Sequence, residues 1–382
     1  MSAQPHLELS DLSKVYNGRV RAVDRVDLEV QDGEFVTLVG PSGCGKSTTL
    51  RMIAGFISPT EGAIEMNGQN ISELPPDKRD IGMVFQSIAL FPHMTVAENI
   101  GYGMKVSPES YSQEEVDSRV EEMLELIEMP GTEDRYPEEL SGGQQQRIGL
   151  ARSLALQPEI LLLDEPLSAL DEKLREQMQT ELTRIQQELG VTTVFVTHNQ
   201  EEAMTMSDRI VVMNDGEFEQ VGTPNEVYNE PDSEFVADFM GKSNLFTGEV
   251  LENRTDTSLV ETKLGTFTTG DINFWQGTTV KLLVRPEGMH IADSPASEQN
   301  TISGTIEIVQ LLGSVTRYLV QTNDGDEIIV EAQSDGEYRT EGERVEVAFH
   351  PSDCRLLPDP NRGKSAESDA AGGSTAEVSA GE

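Results

Sequence analysis

One stretch constrains the fold of this 382-residue chain more than any other: GPSGCGKST at residues 40–48. It follows the apolar run FVTLV at 35–39, which predicts a buried strand, and it opens a helical pattern over 46–55. This order fits the G-x-x-x-x-G-K-[ST] pattern of a phosphate-binding loop between a strand and a helix. Glycines let backbone N–H groups face phosphate oxygens, and the helix N-terminus adds its positive dipole end. The stretch, called the phosphate loop below, therefore predicts a nucleotide site.

Each part of the phosphate loop has a predicted role. Lys46 should reach the β- and γ-phosphates of a nucleotide, and Ser47 should hold Mg²⁺. Cys44 occupies a variable position of the pattern, so its N–H and not its sulfur would bind. The predicted nucleotide-binding residues are Gly40, Pro41, Ser42, Gly43, Cys44, Gly45, Lys46, Ser47 and Thr48.

The stretch ILLLDEP at 160–166 supplies the carboxylates that the phosphate loop lacks. Asp164, at the end of a buried strand, would help to hold Mg²⁺ through water. Glu165 would orient or deprotonate the water that attacks the γ-phosphate. Taken alone, the stretch is better explained as an acidic strand end that meets solvent; beside a phosphate loop, the catalytic interpretation is favoured.

Polar residues also follow two other predicted strands. Gln86 comes after IGMVF at 81–85, and His198 comes after TTVFVT at 192–197. Strands that end beside the phosphate loop would bring both side chains to the γ-phosphate edge, with Gln86 also near the metal ion. His198 would donate to a γ-phosphate oxygen. Taken alone, each is more simply an ordinary loop residue.

Apolar runs alternate with helical periodicity over the N-terminal part of the chain. RIVVM at 209–213 adds a further strand, and apolar residues at helical spacing predict helices over 116–127 and 174–189. This alternation favours an α/β domain with a largely parallel sheet over 1–240. The stretch 88–155 is a predicted helical insertion in that domain.

The character of the sequence changes after residue 240. Short alternating segments, separated by turns that contain glycine, predict a small all-β, OB-like domain over 241–357. These segments are KLLVRPEG, TISGTIEIVQ, RYLVQTNDGDEIIVEA and ERVEVAFH. The last stretch, 358–382, consists of small and acidic residues and is predicted to be a disordered tail.

The charge balance is strongly acidic, because 68 acidic and 28 basic residues leave a formal net charge of −40. The acidity is spread over the whole length, which favours a surface built for very salty cytosol, where the Debye length is about 3 Å at molar salt. We therefore predict a halophilic, archaeal source; an ordinary acidic protein is the alternative. The charge argues against nucleic acid as a partner, since phosphate contacts need clustered Lys and Arg.

Removal of salt is expected to unfold this protein, because its acidic surface then repels itself without screening. Circular dichroism during dialysis from molar salt to low ionic strength checks this prediction. Full secondary structure at low ionic strength would contradict a salt-adapted surface.

Other classes of protein are not indicated. Cys44 and Cys354 form no disulfide framework and have no zinc spacing, and the five histidines are too scattered for a metal cluster. The polar N-terminus, MSAQPHLELS, is not a signal peptide. No apolar run approaches the ~18 residues of a membrane span. We predict a cytosolic chain that reaches a membrane only through a partner.

A second glycine-rich stretch, LSGGQQQR at 140–147, contains no lysine and is called the signature stretch below. Its serine hydroxyl, its glycine N–H groups and the helix that follows can still grip phosphate. The chain resembles the ATP-binding subunits of ABC transporters, element by element and in the same order. The elements are the phosphate loop, Gln86, the signature stretch, ILLLDEP, SALD at 168–171 and His198. Tyr16 stands where that family has its adenine-stacking aromatic; a surface tyrosine is the alternative. The resemblance covers about residues 5–355.

The resemblance implies a P-loop ATPase fold with a helical subdomain, and it implies ATP and Mg²⁺ as ligands. In that family two copies pack head to tail, and the signature stretch of one copy contacts the γ-phosphate held by the other. The residues implied to act across the dimer are Ser141, Gly142, Gly143, Gln144 and Asp171. This chain has one set of these elements, so the resemblance implies a homodimer that ATP holds closed and hydrolysis releases.

The C-terminal domain resembles that of importer ATPases for polyamines, ferric iron, sulfate and sugars, through LLVRPEG at 282–288. The signature reads GGQQQR, where sugar-type members more often read GGQRQR. VFVTHNQEEAMTMSDRIVVMNDGEFEQVGTP resembles the spermidine/putrescine type, although Asn199 departs from the usual THDQ. A neutral amide there should not abolish the role of His198. A polyamine importer is therefore favoured, with sugar, ferric iron and other small-solute importers as alternatives.

The resemblance also implies partners. The chain would lie on the cytoplasmic side of the membrane, as a peripheral subunit on two transmembrane permease subunits served by an extracytoplasmic solute-binding protein. Phe91, Pro92 and Met94 would contact a permease helix, or would pack the helical insertion, or both. A soluble ABC ATPase acting on ribosomes or DNA is the alternative class, but two cassettes or a long coiled coil are absent from the sequence. Glu165 and His198 argue against a purely regulatory ATP-binding module.

Overall fold

The structure, a computed structural model, describes residues 4–87, 90–108, 110–292, 299–334 and 338–359. Most of the predicted tail, from residue 360 on, lies outside this description. The chain divides into two compact units between Val227 and Tyr228. This division comes before the sequence-based boundary at 240, and residues 228–240 therefore group with the second unit.

The first unit contains ten strands and most of seven helices among its described residues. The strands are β1 (Leu7–Tyr16), β2 (Val20–Val30), β3 (Phe35–Val39), β4 (Glu61–Met66), β5 (Gln69–Asn70), β6 (Ile81–Val84), β7 (Ile160–Asp164), β8 (Thr192–Thr197), β9 (Arg209–Asn214) and β10 (Glu217–Gly222). The helices are α1 (Lys46–Ile53), α2 (Val96–Val106), α3 (Gln113–Leu126), α4 (Gly142–Leu154), α5 (Glu172–Leu189), α6 (Gln200–Met206) and α7 (Pro224–Asn229), which spans the division. Short 3₁₀ helices cover Pro76–Lys78 and Pro137–Glu139 in this unit, and Pro286–Gly288 and Pro351–Asp353 in the second unit.

A six-stranded sheet in the order β10-β9-β3-β8-β7-β6 forms the centre of the first unit. Its strands β9, β3, β8, β7 and β6 pair in parallel. Every residue of β3, β7 and β8 is buried, as expected for strands covered on both faces. The carboxyl ends of parallel strands meet at one edge of a sheet, which is where ligands bind in α/β folds. The predicted α/β fold is confirmed.

An antiparallel sheet in the order β2-β1-β4-β5 accompanies the central one, and the sequence analysis did not identify it. The pattern that indicates it is the alternation at the end of β2. Val26, Leu28 and Val30 are buried, whereas Asp27 and Glu29 between them are exposed. Such alternation is typical of a strand with one face on the core.

The helical insertion lies between β6 and β7, as predicted, and contains α2, α3 and α4. Helix α2 begins with a capping box between Thr95 and Glu98, and α3 begins with one between Ser112 and Glu115. Residues 88, 89 and 109 of the predicted insertion lie outside the described ranges. The signature stretch lies at the start of the third of these helices, α4.

Arg79 joins the helix that follows the phosphate loop to the strand that leads to Gln86. Its buried guanidinium donates to the carbonyl oxygens of Met52 (2.7 Å) and Ile53 (2.6 Å), at the C-terminus of α1, and to two further carbonyls. A cation at a helix C-terminus satisfies carbonyls that have no partner in the helix and is favoured by the helix dipole. Arg79 itself lies two residues before the start of β6, so α1 and β6 are held together.

The second unit is all-β apart from helical segments, as predicted. It contains α8 (Glu234–Met240), β11 (Asn244–Asn253), β12 (Ser258–Thr262), β13 (Gly265–Thr269), β14 (Thr279–Val284), β15 (Met289–Ala292), β16 (Asn300–Leu311), β17 (Val315–Thr322), β18 (Glu327–Gln333), β19 (Arg344–Phe349) and β20 (Cys354–Pro358). Two antiparallel five-stranded sheets have the orders β13-β12-β11-β14-β20 and β15-β19-β16-β17-β18. The buried rings of Phe267 and Phe349, from different sheets, lie 5.4 Å apart. This arrangement agrees with the predicted OB-like domain.

Within the second unit, Arg285 explains why residues 228–240 group with the β-strands. Its guanidinium donates to the carbonyl oxygens of Tyr228 (2.7 Å), Ala237 (2.9 Å) and Lys242 (3.1 Å). It also lies 4.2 Å from the centre of the Tyr228 ring. The hydroxyl of Tyr228 donates to Glu287, and burial, followed by this carboxylate, raises the pKa of Tyr228 to about 12.

Candidate functional site

The phosphate loop connects β3 to α1, as the sequence predicts. Gly45 precedes α1 with a φ of 117°, a conformation that side chains rarely permit. A Cβ at this position would lie 2.3 Å from the carbonyl oxygen of Ala22. Both the backbone conformation and the close approach therefore require glycine here.

Lys46 is folded onto the phosphate loop itself. Its ammonium group donates to the carbonyl oxygens of Gly40 (2.7 Å) and Pro41 (2.9 Å), and the residue is only 5% exposed. Binding of a nucleotide through Lys46 requires these carbonyls to be exchanged for phosphate oxygens. Burial raises the pKa of the Cys44 thiol, so the sulfur of this loop residue stays neutral.

Ser47 and Asp164 meet beside the loop. The Ser47 hydroxyl, in the first turn of α1, donates to Asp164 Oδ1 at 2.9 Å, at the end of β7. An alcohol oxygen and a carboxylate are hard oxygen ligands of the kind that Mg²⁺ uses in nucleotide sites, where it keeps several waters. The residues present therefore fit the predicted magnesium site.

Two predicted catalytic side chains converge on a carboxylate oxygen of a third. Glu165 Oε2 lies 3.3 Å from Gln86 Nε2 and 3.1 Å from His198 Nδ1. These residues follow β7, β6 and β8, so their convergence comes from the order of neighbouring strands in the parallel sheet. Glu165 has a φ of 45°, which is uncommon for a residue with a side chain, and its N–H donates to Val196 O (2.9 Å). The backbone thus turns this carboxylate away from the direction of its strand.

Ser168 is a fourth polar residue at this point, within the SALD turn at 168–171. Its hydroxyl donates to the carbonyl oxygen of Glu165 at 2.8 Å and lies 3.5 Å from Gln86 Nε2. The contacts of this serine were not predicted from the sequence. The arrangement can hold a water molecule against a carboxylate base, with an amide and an imidazole as donors to an anion.

The signature stretch forms the N-terminus of α4. Ser141 and Gln144 make a capping box, in which Ser141 N donates to Gln144 Oε1 (2.9 Å) and Gln144 N donates to Ser141 Oγ (3.4 Å). Gly143 is buried, and a Cβ there would lie 2.9 Å from Leu174. Gly142 is exposed, and a Cβ there would meet nothing within 4 Å. Packing of this chain therefore accounts for Gly143 but not for Gly142.

Among the described residues, no hydrogen bond joins the signature stretch or the SALD turn to the phosphate loop of the same chain. Asp171 is the N-cap of α5 and accepts from Leu174 N at 3.0 Å. Tyr16 ends β1, with the ammonium group of Lys14 5.5 Å from its ring centre. Within one chain, Ser141 and Asp171 act as helix caps.

The predicted permease contact is partly explained by packing within the helical insertion. The ring of Phe91 lies 4.7 Å from that of Tyr102 and 5.6 Å from the guanidinium of Arg152. A second pair of rings, Phe56 and Phe85, lies 5.7 Å apart and is exposed at the surface. This pair was not predicted from the sequence, although Phe85 directly precedes Gln86. Among the described residues, no helix is long and apolar enough to cross a membrane.

Two family models match the chain: ABC transporter over residues 23–168 and TOBE domain over residues 282–357. The spermidine/putrescine import ATP-binding protein of Thermobifida fusca is 46% identical over 93% of this chain and 94% of its own. The protein of the same name from Acidothermus cellulolyticus is 47% identical over 87% and 88%.

Solved structures show the same fold in the first unit. A dimeric ATP-binding cassette in a post-hydrolysis state, bound to ADP and Pi, is 35% identical with a TM-score of 0.51, and covers 57% of this chain and 98% of its own. The cbiO1 protein of Clostridium perfringens is 27% identical with a TM-score of 0.55, over 60% and 92%. The predicted family is confirmed, whereas the predicted halophilic source is not supported by these relatives and stays a prediction. The chain belongs to the ATP-binding proteins of ABC transporters that carry a C-terminal TOBE domain.

Proposed function

We propose that this chain is the ATP-hydrolysing subunit of an importer and that the imported solutes are polyamines of the spermidine and putrescine type. The observation that carries the ATPase is the convergence of Gln86 and His198 on Glu165 Oε2, where β7 also delivers Asp164 to Ser47. The solute rests on relatives named for spermidine/putrescine import, which match nearly the whole chain. GGQQQR and the stretch around His198 support the same assignment.

In the proposed reaction, the phosphate loop and Lys46 bind the β- and γ-phosphates of ATP. Ser47, Gln86 and Asp164, the last through water, would hold Mg²⁺, which supplies positive charge to the phosphates. Glu165 orients the attacking water and accepts its proton, and His198 donates to a γ-phosphate oxygen. Tyr16 stacks on the adenine ring.

We propose further that the site is completed by a second copy of the chain. Ser141, Gly142, Gly143 and Gln144 would grip the γ-phosphate of the partner's ATP, and Asp171 would meet the same interface. The exposed Gly142 supports this role, because a Cβ there would meet nothing within 4 Å among the described residues. The N-terminus of α4, a 13-residue helix, adds its positive dipole end at that point.

The proposed dimer acts at the cytoplasmic side of the membrane on two transmembrane permease subunits, to which an extracytoplasmic binding protein delivers the solute. To the permease contact predicted at Phe91, Pro92 and Met94 we add the exposed rings of Phe56 and Phe85. Since Phe85 directly precedes Gln86, a permease helix on these rings would sense the γ-phosphate edge. The net charge of −40 argues against nucleic acid as a partner, since phosphate contacts need clustered Lys and Arg.

Uptake of labelled solutes by cells that lack this gene tests the proposed solute. We expect loss of spermidine and putrescine uptake, with uptake of sugars and ferric iron unchanged. Wild-type chain should restore uptake, and a Lys46→Ala chain should not. Loss of sugar or iron uptake with intact polyamine uptake would contradict the proposed solute and would leave the ATPase assignment standing.

A further inference from the structure

Glu202 is a buried carboxylate to which the proposed reaction gives no role. It lies in the first turn of α6, and its side chain is 4% exposed. The hydroxyl of Thr197 donates to Oε2 at 2.5 Å, and Arg175 Nε lies 3.6 Å from Oε1. The two oxygens of one carboxylate therefore face two different segments of the chain.

Thr197 connects this carboxylate to His198. It is the last residue of β8 and directly precedes His198. Its hydroxyl oxygen also accepts from the N–H of Asn199 at 3.0 Å, so one hydroxyl joins the Glu202 carboxylate to the residue that follows His198. A shift of the Glu202 carboxylate would thus move the turn that presents His198 to Glu165.

Arg175 connects the same carboxylate to the SALD turn. It lies in the first turn of α5, where its N–H donates to Asp171 O at 2.9 Å. Its guanidinium donates to Leu170 O at 2.8 Å as well as facing Glu202. The segment that contains Asp171, which the proposed dimer places at the interface, is therefore linked through one arginine to the carboxylate behind His198.

The contacts that join Thr197 and Arg175 through Glu202 form a bridge that buries a carboxylate. Burying this group costs folding free energy, so stability alone does not explain the bridge. Burial raises the pKa of Glu202, although Thr197, Arg175 and His198 favour its charged form; the charge of Glu165 opposes it. Glutamine would accept the Thr197 hydrogen bond without burying a charge. A cavity of about 320 Å³, lined by Ser168, Arg175, Thr197, His198, Asn199, Gln200 and Glu202, leaves room for these groups to move.

We propose that Glu202 is a positioning residue that couples the SALD turn to His198. When a second copy closes on Asp171, the displacement passes through Leu170 and Arg175 to Glu202, and from there through Thr197 to His198. The imidazole is then held against the γ-phosphate only in the closed dimer. This inference rests on the proposed function and adds to it a connection within each chain between the interface and the catalytic histidine.

Glu202→Gln tests the coupling, because it keeps an acceptor for Thr197 and removes the charge that faces Arg175. We expect kcat for ATP hydrolysis to fall by about tenfold or more, while KM for ATP stays within about twofold. The thermal midpoint should not fall. Glu201→Gln is the matched control: it removes the same charge from the adjacent, exposed residue and should leave kcat unchanged.

Arg175→Gln provides a second variant, and the double variant completes a cycle. If the two residues act through one bridge, the double variant loses no more activity than Glu202→Gln alone. Additive losses, or a fall in kcat that follows a fall in the thermal midpoint, would overturn the coupling. Unchanged kcat in Glu202→Gln, beside an active wild type, would also overturn it and would leave the proposed ATPase intact. A wild type that does not hydrolyse ATP would overturn both.

Discussion

Replacement of Glu165 by glutamine is expected to lower ATP hydrolysis at least about a hundredfold, because a general base in the transition state contributes typically that much or more. The amide cannot accept the proton of the attacking water. It can still hydrogen-bond with Gln86 and His198, so the geometry around the carboxylate position should persist. ATP should then remain in the site, and the variant should become a dimer that persists while ATP is present.

Size-exclusion chromatography with light scattering, in ATP and then in ADP, measures this outcome. The expected result is a dimer of Glu165→Gln in MgATP and a monomer in MgADP. Glu176→Gln, which removes the same charge from an exposed position on α5, should hydrolyse ATP like the wild type. A Glu165→Gln chain that stays monomeric at saturating ATP, or that hydrolyses normally, would refute a site shared between two copies.

Apolar runs predicted the central sheet because its strands are covered on both faces. FVTLV, ILLLD and TTVFVT coincide with β3, β7 and β8 residue for residue. The antiparallel sheet of β1, β2, β4 and β5 was missed, since its strands alternate buried and exposed residues and carry bulges. Irregular register weakens the alternation on which a sequence-based prediction of such strands depends.

The convergence of Gln86 and His198 on Glu165 was predictable, because parallel strands deliver the residues that follow them to one edge of the sheet. The role of Glu202 was not, since nothing local distinguishes it from Glu201 beside it. Glu202 is buried and Glu201 is exposed only because α6 packs the side that carries Glu202 against the sheet and α5. The two signature glycines are likewise equivalent in sequence, and only the position of Leu174 separates them.

The difference between those glycines leads to a variant whose effects on stability and on activity have opposite signs. Gly142→Asp places a carboxylate at the first position of α4, where the helix dipole favours a negative charge by about 0.3–1 kcal/mol. A Cβ at this position meets nothing within 4 Å among the described residues. Thermal stability should therefore hold or rise. The same carboxylate would face the γ-phosphate of the partner's ATP, and repulsion there should reduce hydrolysis by at least about a hundredfold.

Gly142→Asp in the Glu165→Gln chain distinguishes disruption of a site shared between two copies from a simple loss of ATP binding. The phosphate loop of that chain is untouched, so each copy should bind ATP with unchanged affinity and yet fail to dimerise. Lys46→Ala in the same background should lose ATP binding and the dimer together. Gly143→Ala brings its Cβ to 2.9 Å from the methyl groups of Leu174, which can rotate away, so its thermal midpoint should change little. A Gly142→Asp chain that dimerises normally in ATP would place the signature stretch outside the interface, since a carboxylate in contact with the γ-phosphate would repel it strongly, whereas water and salt weaken the repulsion at greater distance.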